Sequence, residues 1–202
     1  MSKITQRDIQ AIETRQKILD SALEQFSLHG YSATTTRMIN RNIGISDGLL
    51  YHYFPKGKHQ ILSILLETKI DEILQDMEAD NKKLQSFNLR ELLNYLFKRI
   101  NKLYEAHEQI IRVLFKEFDS FKREECNLLT EKLVYRKREL PSILKERYEN
   151  GEIKLIDFEK ASDVLCTTML GYLFSKILGF DSPLDDLTYR QSTIDYQVSL
   201  WE

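Results

Sequence analysis

Apolar residues return every three or four positions along most of the chain, the spacing of one face of an α-helix. Ile12, Leu19, Ala22, Leu23 and Phe26 share such a face, and the run stops at His29-Gly30, where glycine can take a left-handed cap conformation. Thr34-Thr35-Thr36 then offers hydroxyls to cap a short second helix carrying Met38, Ile39 and Ile43 and ending at Gly44. Ser46 caps a third helix, Asp47 to about Tyr53, whose first-turn acid suits the helix dipole. Phe54-Pro55-Lys56-Gly57-Lys58 breaks it.

Beyond this break the short helices give way to long ones, which predicts two domains, residues 1–57 and 58–202. Leu62, Leu66, Ile70, Ile73 and Met77 form the stripe of a long helix that ties head to body mechanically and frays at Asp80-Asn81-Lys82-Lys83. Leu89, Leu92, Leu93, Leu96, Phe97, Ile100, Leu103 and Tyr104 make a second stripe, and Ile110, Ile111, Leu114, Phe115 and Phe118 a third. A further helix spans roughly Arg123 to Glu149, with Pro141 kinking or dividing it and Asn150-Gly151 ending it. Asp157 caps the next, which ends near Gly179, and Ser182-Pro183 opens a last helix that runs to the end of the chain. The pattern is all-α, about nine helices: a three-helix head on a larger helical body.

Composition agrees, since three prolines and seven glycines leave little to punctuate strands. The net charge of −2 carries no global sign of nucleic-acid binding. Its distribution does change the picture: residues 1–60 hold eight bases against five acids, +3, which leaves −5 for the rest. Cys126 and Cys166 lie far apart in apolar patterns and read as reduced, buried thiols. The polar N-terminus lacks the apolar core of a signal peptide, and the longest uncharged run, Val164 to Ser175, falls short of the roughly 20 residues that span a bilayer. A cytoplasmic protein without a membrane partner is expected.

Two short helices joined at a glycine are the helix-turn-helix arrangement, in which the second helix enters the major groove. Ile39, Ile43, Ile45, Leu50 and Phe54 hold the pair together, leaving Asp47, Gly48, Leu49, Tyr51 and His52 at or near the outward face. Glycine in a first turn costs about 1 kcal/mol relative to alanine, so Gly48 needs a reason, and close approach to a phosphate or base edge is one. Three aromatic rings on one short helix, Tyr51, His52 and Tyr53, exceed what a small head needs for packing. Thr35, Thr36, Arg37, Ser46 and Lys58 supply further groups suited to the DNA backbone.

The segments from Thr14 (TRQKILDSALEQF), His29 (HGYSATTT) and Gly44 (GISDGLLYHYF) resemble the N-terminal signature of the TetR family, over about a quarter of the chain. Asn40 and Ile43 depart from it by standing where the family usually has small alanines. The turn Pro55-Lys56-Gly57-Lys58 is one residue longer than the commonest form, which leaves the family's phosphate-binding lysine open between Lys56 and Lys58. Lys58 is favoured, because Ile61-Leu62 then falls where the next helix begins.

The resemblance implies a homodimer formed through the last two helices and a body enclosing an inducer pocket. Ala161, Leu165, Met169, Leu187, Ile194, Val198 and Trp201 are the apolar positions expected at the dimer interface. Phe97, Tyr104, Phe115, Phe118 and Tyr172 are the pocket candidates, suited to an apolar or aromatic small molecule. There is no glycine-rich phosphate loop, nucleophile elbow or paired metal ligand, so no catalytic residue, metal or cofactor is expected. The expected function is a ligand-responsive transcriptional regulator, most simply a repressor released from a palindromic operator by its inducer. A helical ligand-sequestering protein with a silent head is the alternative.

Overall fold

The computed structural model describes residues 5–78, 84, 86–117 and 139–202. Among these residues lie eight α-helices: α1 (Gln6–His29), α2 (Thr36–Ile43), α3 (Asp47–Tyr53), α4 (Gly57–Glu78), α5 (Leu89–Lys116), α6 (Glu139–Glu149), α7 (Phe158–Leu178) and α8 (Leu187–Trp201). One 3-10 turn, Pro183–Asp185, precedes α8. The fold is all-α, with a head in which the short α2 and α3 follow the long α1, and a larger helical body.

Two compact units divide the chain, one of residues 1–71 and 109–126, the other of 72–108 and 127–202. The line falls inside α4 rather than at 57/58, because Ile61, Leu62, Leu65, Leu66 and Ile70 in the first turns of α4 are buried and belong to the head's unit. Residues 109–117 join it, with Lys116 and Glu117 hydrogen-bonded to the end of α1 and the loop after it. In α1 the inward face is Ile18, Leu19, Ala22, Leu23 and Phe26, whereas Ile12, which the sequence places on that face, is 64 % exposed. The helix has simply outrun the core at its N-terminal end.

α5 is two helices meeting at a kink, which falls between the two stripes that the sequence separates. It runs from Leu89 to Lys116, with a break in helical geometry at His107 (φ −126°, ψ 21°). His107 is buried, and its Nε2 lies 2.9 Å from Oδ2 of Asp76 on α4. Pro141 lies near the start of the described part of α6, and the helix runs on through it to Glu149. The stretch the sequence assigns to helix from Arg123, and Cys126 with it, lies outside the described residues up to 138.

The second unit is built around Leu89, Leu93, Phe97, Leu144, Leu165, Met169, Tyr172, Ile194, Val198 and Trp201. Asp157 caps α7 by accepting from the Lys160 amide at 3.1 Å, and that hydrogen bond holds its carboxyl below the ordinary range. Ser182-Pro183 opens the 3-10 turn only, and Asp186 then caps α8 through the Tyr189 amide at 2.7 Å. Two starts in succession replace the single one expected. The turn positions Asp185, whose Oδ1 accepts from the Tyr172 hydroxyl at 2.8 Å and from Lys176. Burial raises the Asp185 carboxyl, but hydrogen bonds from Lys176, Tyr172 and the Ser182 amide outweigh it and leave it below its usual value. Burial likewise pulls Lys176 down, and bonding to Asp185 more than offsets this.

Candidate nucleic-acid interface

The two short helices begin where hydroxyls take up free backbone donors: Thr35 Oγ1 accepts from the Met38 amide at 3.2 Å and Ser46 Oγ from the Leu49 amide at 3.3 Å. Each hydroxyl keeps its own proton, which can still be donated outward. Gly44, in the left-handed conformation, turns the chain from α2 into α3. Ile39, Leu50 and Phe54 are completely buried, with Ile43 and Ile45 partly so, and they orient α3 by one face. The opposite face is thereby delivered to the surface, with Ser46, Asp47, Gly48, Tyr51 and His52 exposed and Leu49 and Tyr53 half-buried. At the start of α2, Thr35 and Arg37 are exposed and Thr36 is half-buried.

Gly48 has ordinary backbone geometry, and a Cβ placed on it would meet nothing within 4 Å. Nothing inside the protein requires glycine there. Gly57 is different: its φ is +60°, and a Cβ would come within 3.2 Å of the Tyr51 ring. The turn thus supports Tyr51 while leaving its ring 48 % exposed. His52 and Tyr53 meet edge to face at 5.2 Å, which steadies the imidazole on the outward side.

Asn40 turns its departure from a small residue into a tether. It is buried, and its Nδ2 donates to Asp47 Oδ1 at 2.6 Å, linking α2 to α3 across the turn, while its Oδ1 finds no donor. Arg37 Nε sits 3.7 Å from the other Asp47 oxygen, yet its side chain is 85 % exposed and remains able to swing to a phosphate. Asn42 bonds Ser21 and Glu24 on α1, and Ser21 in turn bonds the Ile39 carbonyl.

Lys58, the favoured phosphate ligand of the sequence reading, is placed differently. Its Nζ donates to the carbonyls of Tyr31, Ser32 and Thr34 at 2.8, 3.3 and 3.0 Å, and stands 4.4 Å from the Tyr31 ring centroid. All three ammonium protons are engaged inside the head, so a phosphate would have to displace one of these bonds. Lys56 is exposed on the same turn. Lys58→Met is therefore expected to lower head stability by about 1–3 kcal/mol, seen as a lower melting temperature of the free protein. A role confined to phosphate would leave melting unchanged and reduce the salt slope of DNA binding by about one.

Two residues that sequence reasoning passes over complete the same loop. Glu117 Oε1 accepts from the Tyr31 amide at 3.0 Å and its Oε2 from Ser32 Oγ at 3.3 Å, while Lys116 Nζ donates to the Ser27 carbonyl at 2.7 Å. They close the C-terminal end of α1, where Gly30 has a positive φ but an extended ψ of 158° in place of the left-handed cap. No local pattern marks a partner 86 residues away.

The pocket and interface candidates fall out as follows. Phe97 and Tyr172 pack edge to face at 5.9 Å in the core of the second unit. The Tyr172 hydroxyl is tied to Asn101 and Asp185, and that of Tyr104 to Glu108 and the Lys176 carbonyl. Phe115 is 42 % exposed, and Phe118 lies outside the described residues. None of them lines the one pocket described below. Of the interface set, Ala161, Leu165, Met169, Ile194, Val198 and Trp201 are buried within their own protomer, and only Leu187 faces outward. They pack in the core of the second unit. Among the described residues no three metal-ligating side chains gather, and no helix is long and apolar enough to cross a membrane.

Residues 18–63 match the family model of bacterial regulatory proteins, tetR family. The chain is 28 % identical over 167 residues to the HTH-type transcriptional regulator YvkB of Bacillus subtilis, covering 81 % of this chain and 83 % of that one. In fold it resembles a tetR-family regulatory protein from Rhodococcus RHA1, with a TM-score of 0.68 over 92 % of this chain and 95 % of that one at 17 % identity. It also resembles the transcriptional regulator FadR of Bacillus subtilis solved with stearoyl-CoA, with a TM-score of 0.63 over 92 % and 96 % at 21 % identity. The head, residues 18–63, thus matches the tetR family of bacterial regulatory proteins, and the helical architecture that carries it is shared with the Rhodococcus protein over nine-tenths of the chain.

Proposed function

We propose that the protein is a repressor that binds a palindromic operator as a homodimer and leaves it when a small molecule occupies the helical body. Regulators of this family bind DNA and respond to ligands. The observation that carries the reading is the outward face of α3, where an internally unexplained glycine lies beside the exposed Tyr51 and His52. A bare Cα lets the helix approach a sugar-phosphate strand or base edge closely, with Tyr51 and His52 on either side of it. Thr35, Thr36, Arg37, Ser46 and Lys56 hold the backbone, Asp47, Leu49 and Tyr53 flank the base-reading side chains, and Lys58 fixes the loop that presents them.

A second helical face suits the dimer. Val164, Thr167, Gly171, Phe174 and Leu178 repeat at three- and four-residue steps on the outside of α7, and Tyr189, Tyr196 and Leu200 stand at steps of seven and four on α8. Monomeric proteins seldom leave an apolar stripe of this length exposed. A second copy of this chain covers it in our reading, with Leu187 at its edge.

The test is fluorescence anisotropy with the DNA upstream of the protein's own coding sequence, over a range of salt. Sequence-selective, salt-dependent binding is expected. Gly48→Ala should leave the melting temperature equal or higher, because alanine is the better helix former, and yet weaken operator binding at least about tenfold through steric exclusion. Equal affinity in Gly48→Ala would remove the main support for α3 as the reading helix.

A further inference from the structure

On one side of α5, against the last turn of α4, lies a half-open pocket of about 210 Å³ walled by Asp76, Tyr95, Lys98, Arg99, Lys102 and Leu103. Five of these six residues follow one another at three- and four-residue spacing on a single helix face. Three of the five are cations. Lys98 and Lys102 are exposed, stand four residues apart and make no ion pair or hydrogen bond among the described residues, so the helix sets two like charges side by side with no acid between them. Arg99 Nη2 donates to the Met77 carbonyl at 2.7 Å, which fixes the guanidinium at the pocket wall. Asp76 is the single acid among the described residues of that wall, and its Oδ2 is hydrogen-bonded to His107 Nε2 rather than to either lysine.

We propose that this pocket binds the phosphate-bearing end of an effector. One guanidinium or ammonium is enough for a carboxylate, whereas three cations along one and a half turns match a group carrying about two negative charges and several acceptor oxygens. The volume is below the roughly 300–1,000 Å³ of sites that enclose a whole small ligand, so the pocket holds a head group. The Tyr95 ring and Leu103 offer the rest of the molecule an apolar edge. This also departs from the wholly apolar or aromatic inducer that the sequence suggests. The effector role rests on the regulator reading above, but the binding event does not.

Isothermal titration in phosphate-free buffer, with pyrophosphate and with coenzyme A as probes, tests the site. Both probes are run against the native protein and against K98Q/K102Q, whose exposed positions leave the fold intact, as circular dichroism verifies. Binding that weakens about tenfold or more in the double variant, and that falls with added salt, is the expected result. Tighter binding of coenzyme A than of pyrophosphate assigns the head group to a nucleotide-type ligand, and equal binding assigns it to a free polyphosphate. No heat with either probe, or equal affinity in K98Q/K102Q, overturns the proposal. Operator binding is measured on the same preparations without probe: its absence in the native protein defeats the regulator reading and leaves the pocket standing, while silent probes beside intact operator binding defeat the pocket alone.

Discussion

Phe54→Ala is expected to destabilise the head by about 3–5 kcal/mol, the cost of a large cavity where a fully buried aromatic ring stood. Phe54 has no exposed surface, closes α3 through its amide to the Leu50 carbonyl at 2.8 Å, and lies under the Arg15 guanidinium at 5.3 Å from the ring centroid. A loss of this size takes up much of the roughly 5–15 kcal/mol that holds an ordinary domain folded. Thermal melting and limited proteolysis should therefore show cleavage in residues 29–57 before α7 and α8 are cut, together with loss of operator binding. Tyr51→Ala serves as the counterpart. Its half-exposed ring leaves melting within about 0.5 kcal/mol, the range of ordinary surface changes, while operator affinity falls. If Phe54→Ala melted like the native protein, the account of α3 as a helix held by one buried face would be lost.

Phe174→Glu combined with Tyr196→Glu is expected to yield a monomer in sedimentation velocity at micromolar concentration. Both side chains are exposed on the protomer, at 45 % and 65 %, and a partner copy would bury two carboxylates of each subunit against apolar surface. Losing the second head removes the avidity of two half-sites, so operator affinity should drop about 100-fold or more. Helix content at 25 °C should persist, because neither residue belongs to the core of its own unit. Trp201→Ala is the contrasting change: Trp201 is buried in that core, and its backbone carbonyl accepts from the Lys154 amide at 2.8 Å. It should lower protomer stability by about 3–5 kcal/mol and leave self-association in place. A dimer that survives Phe174→Glu with Tyr196→Glu would move the interface elsewhere.

The two kinds of residue on α7 show why periodicity does not separate its core face from its outer face. Ala161, Leu165 and Met169 repeat at helical spacing, and so do Val164, Gly171, Phe174 and Leu178 on the other side. A helix that is apolar on nearly all sides has no polar face to say which stripe meets its own core and which meets a partner. The packing of α7 against Leu93, Phe97 and Leu144 decides it. Lys58 makes the same point for charge: its position suits a phosphate, and only the three carbonyls of the folded-back loop between α1 and α2 reveal where its protons go.

The sequence alone determined the helical class, the head with its three short elements, and the caps at Thr35, Ser46, Gly44, Asp157 and Gly179, because each cap is completed by backbone within a few residues and needs no tertiary partner. It also marked the α3 face that turns outward, since Leu50 and Phe54 on one side pack inward with Ile39, Ile43 and Ile45. Tertiary structure alone decided the contact of His107 with Asp76 at the kink of α5, the Glu117 and Lys116 contacts with the head, the cationic pocket on α5 and which stripe of α7 packs in its own core. These depend on chain segments brought together from tens of residues apart, and periodicity, which records that a face is apolar or charged, does not record what lies opposite it.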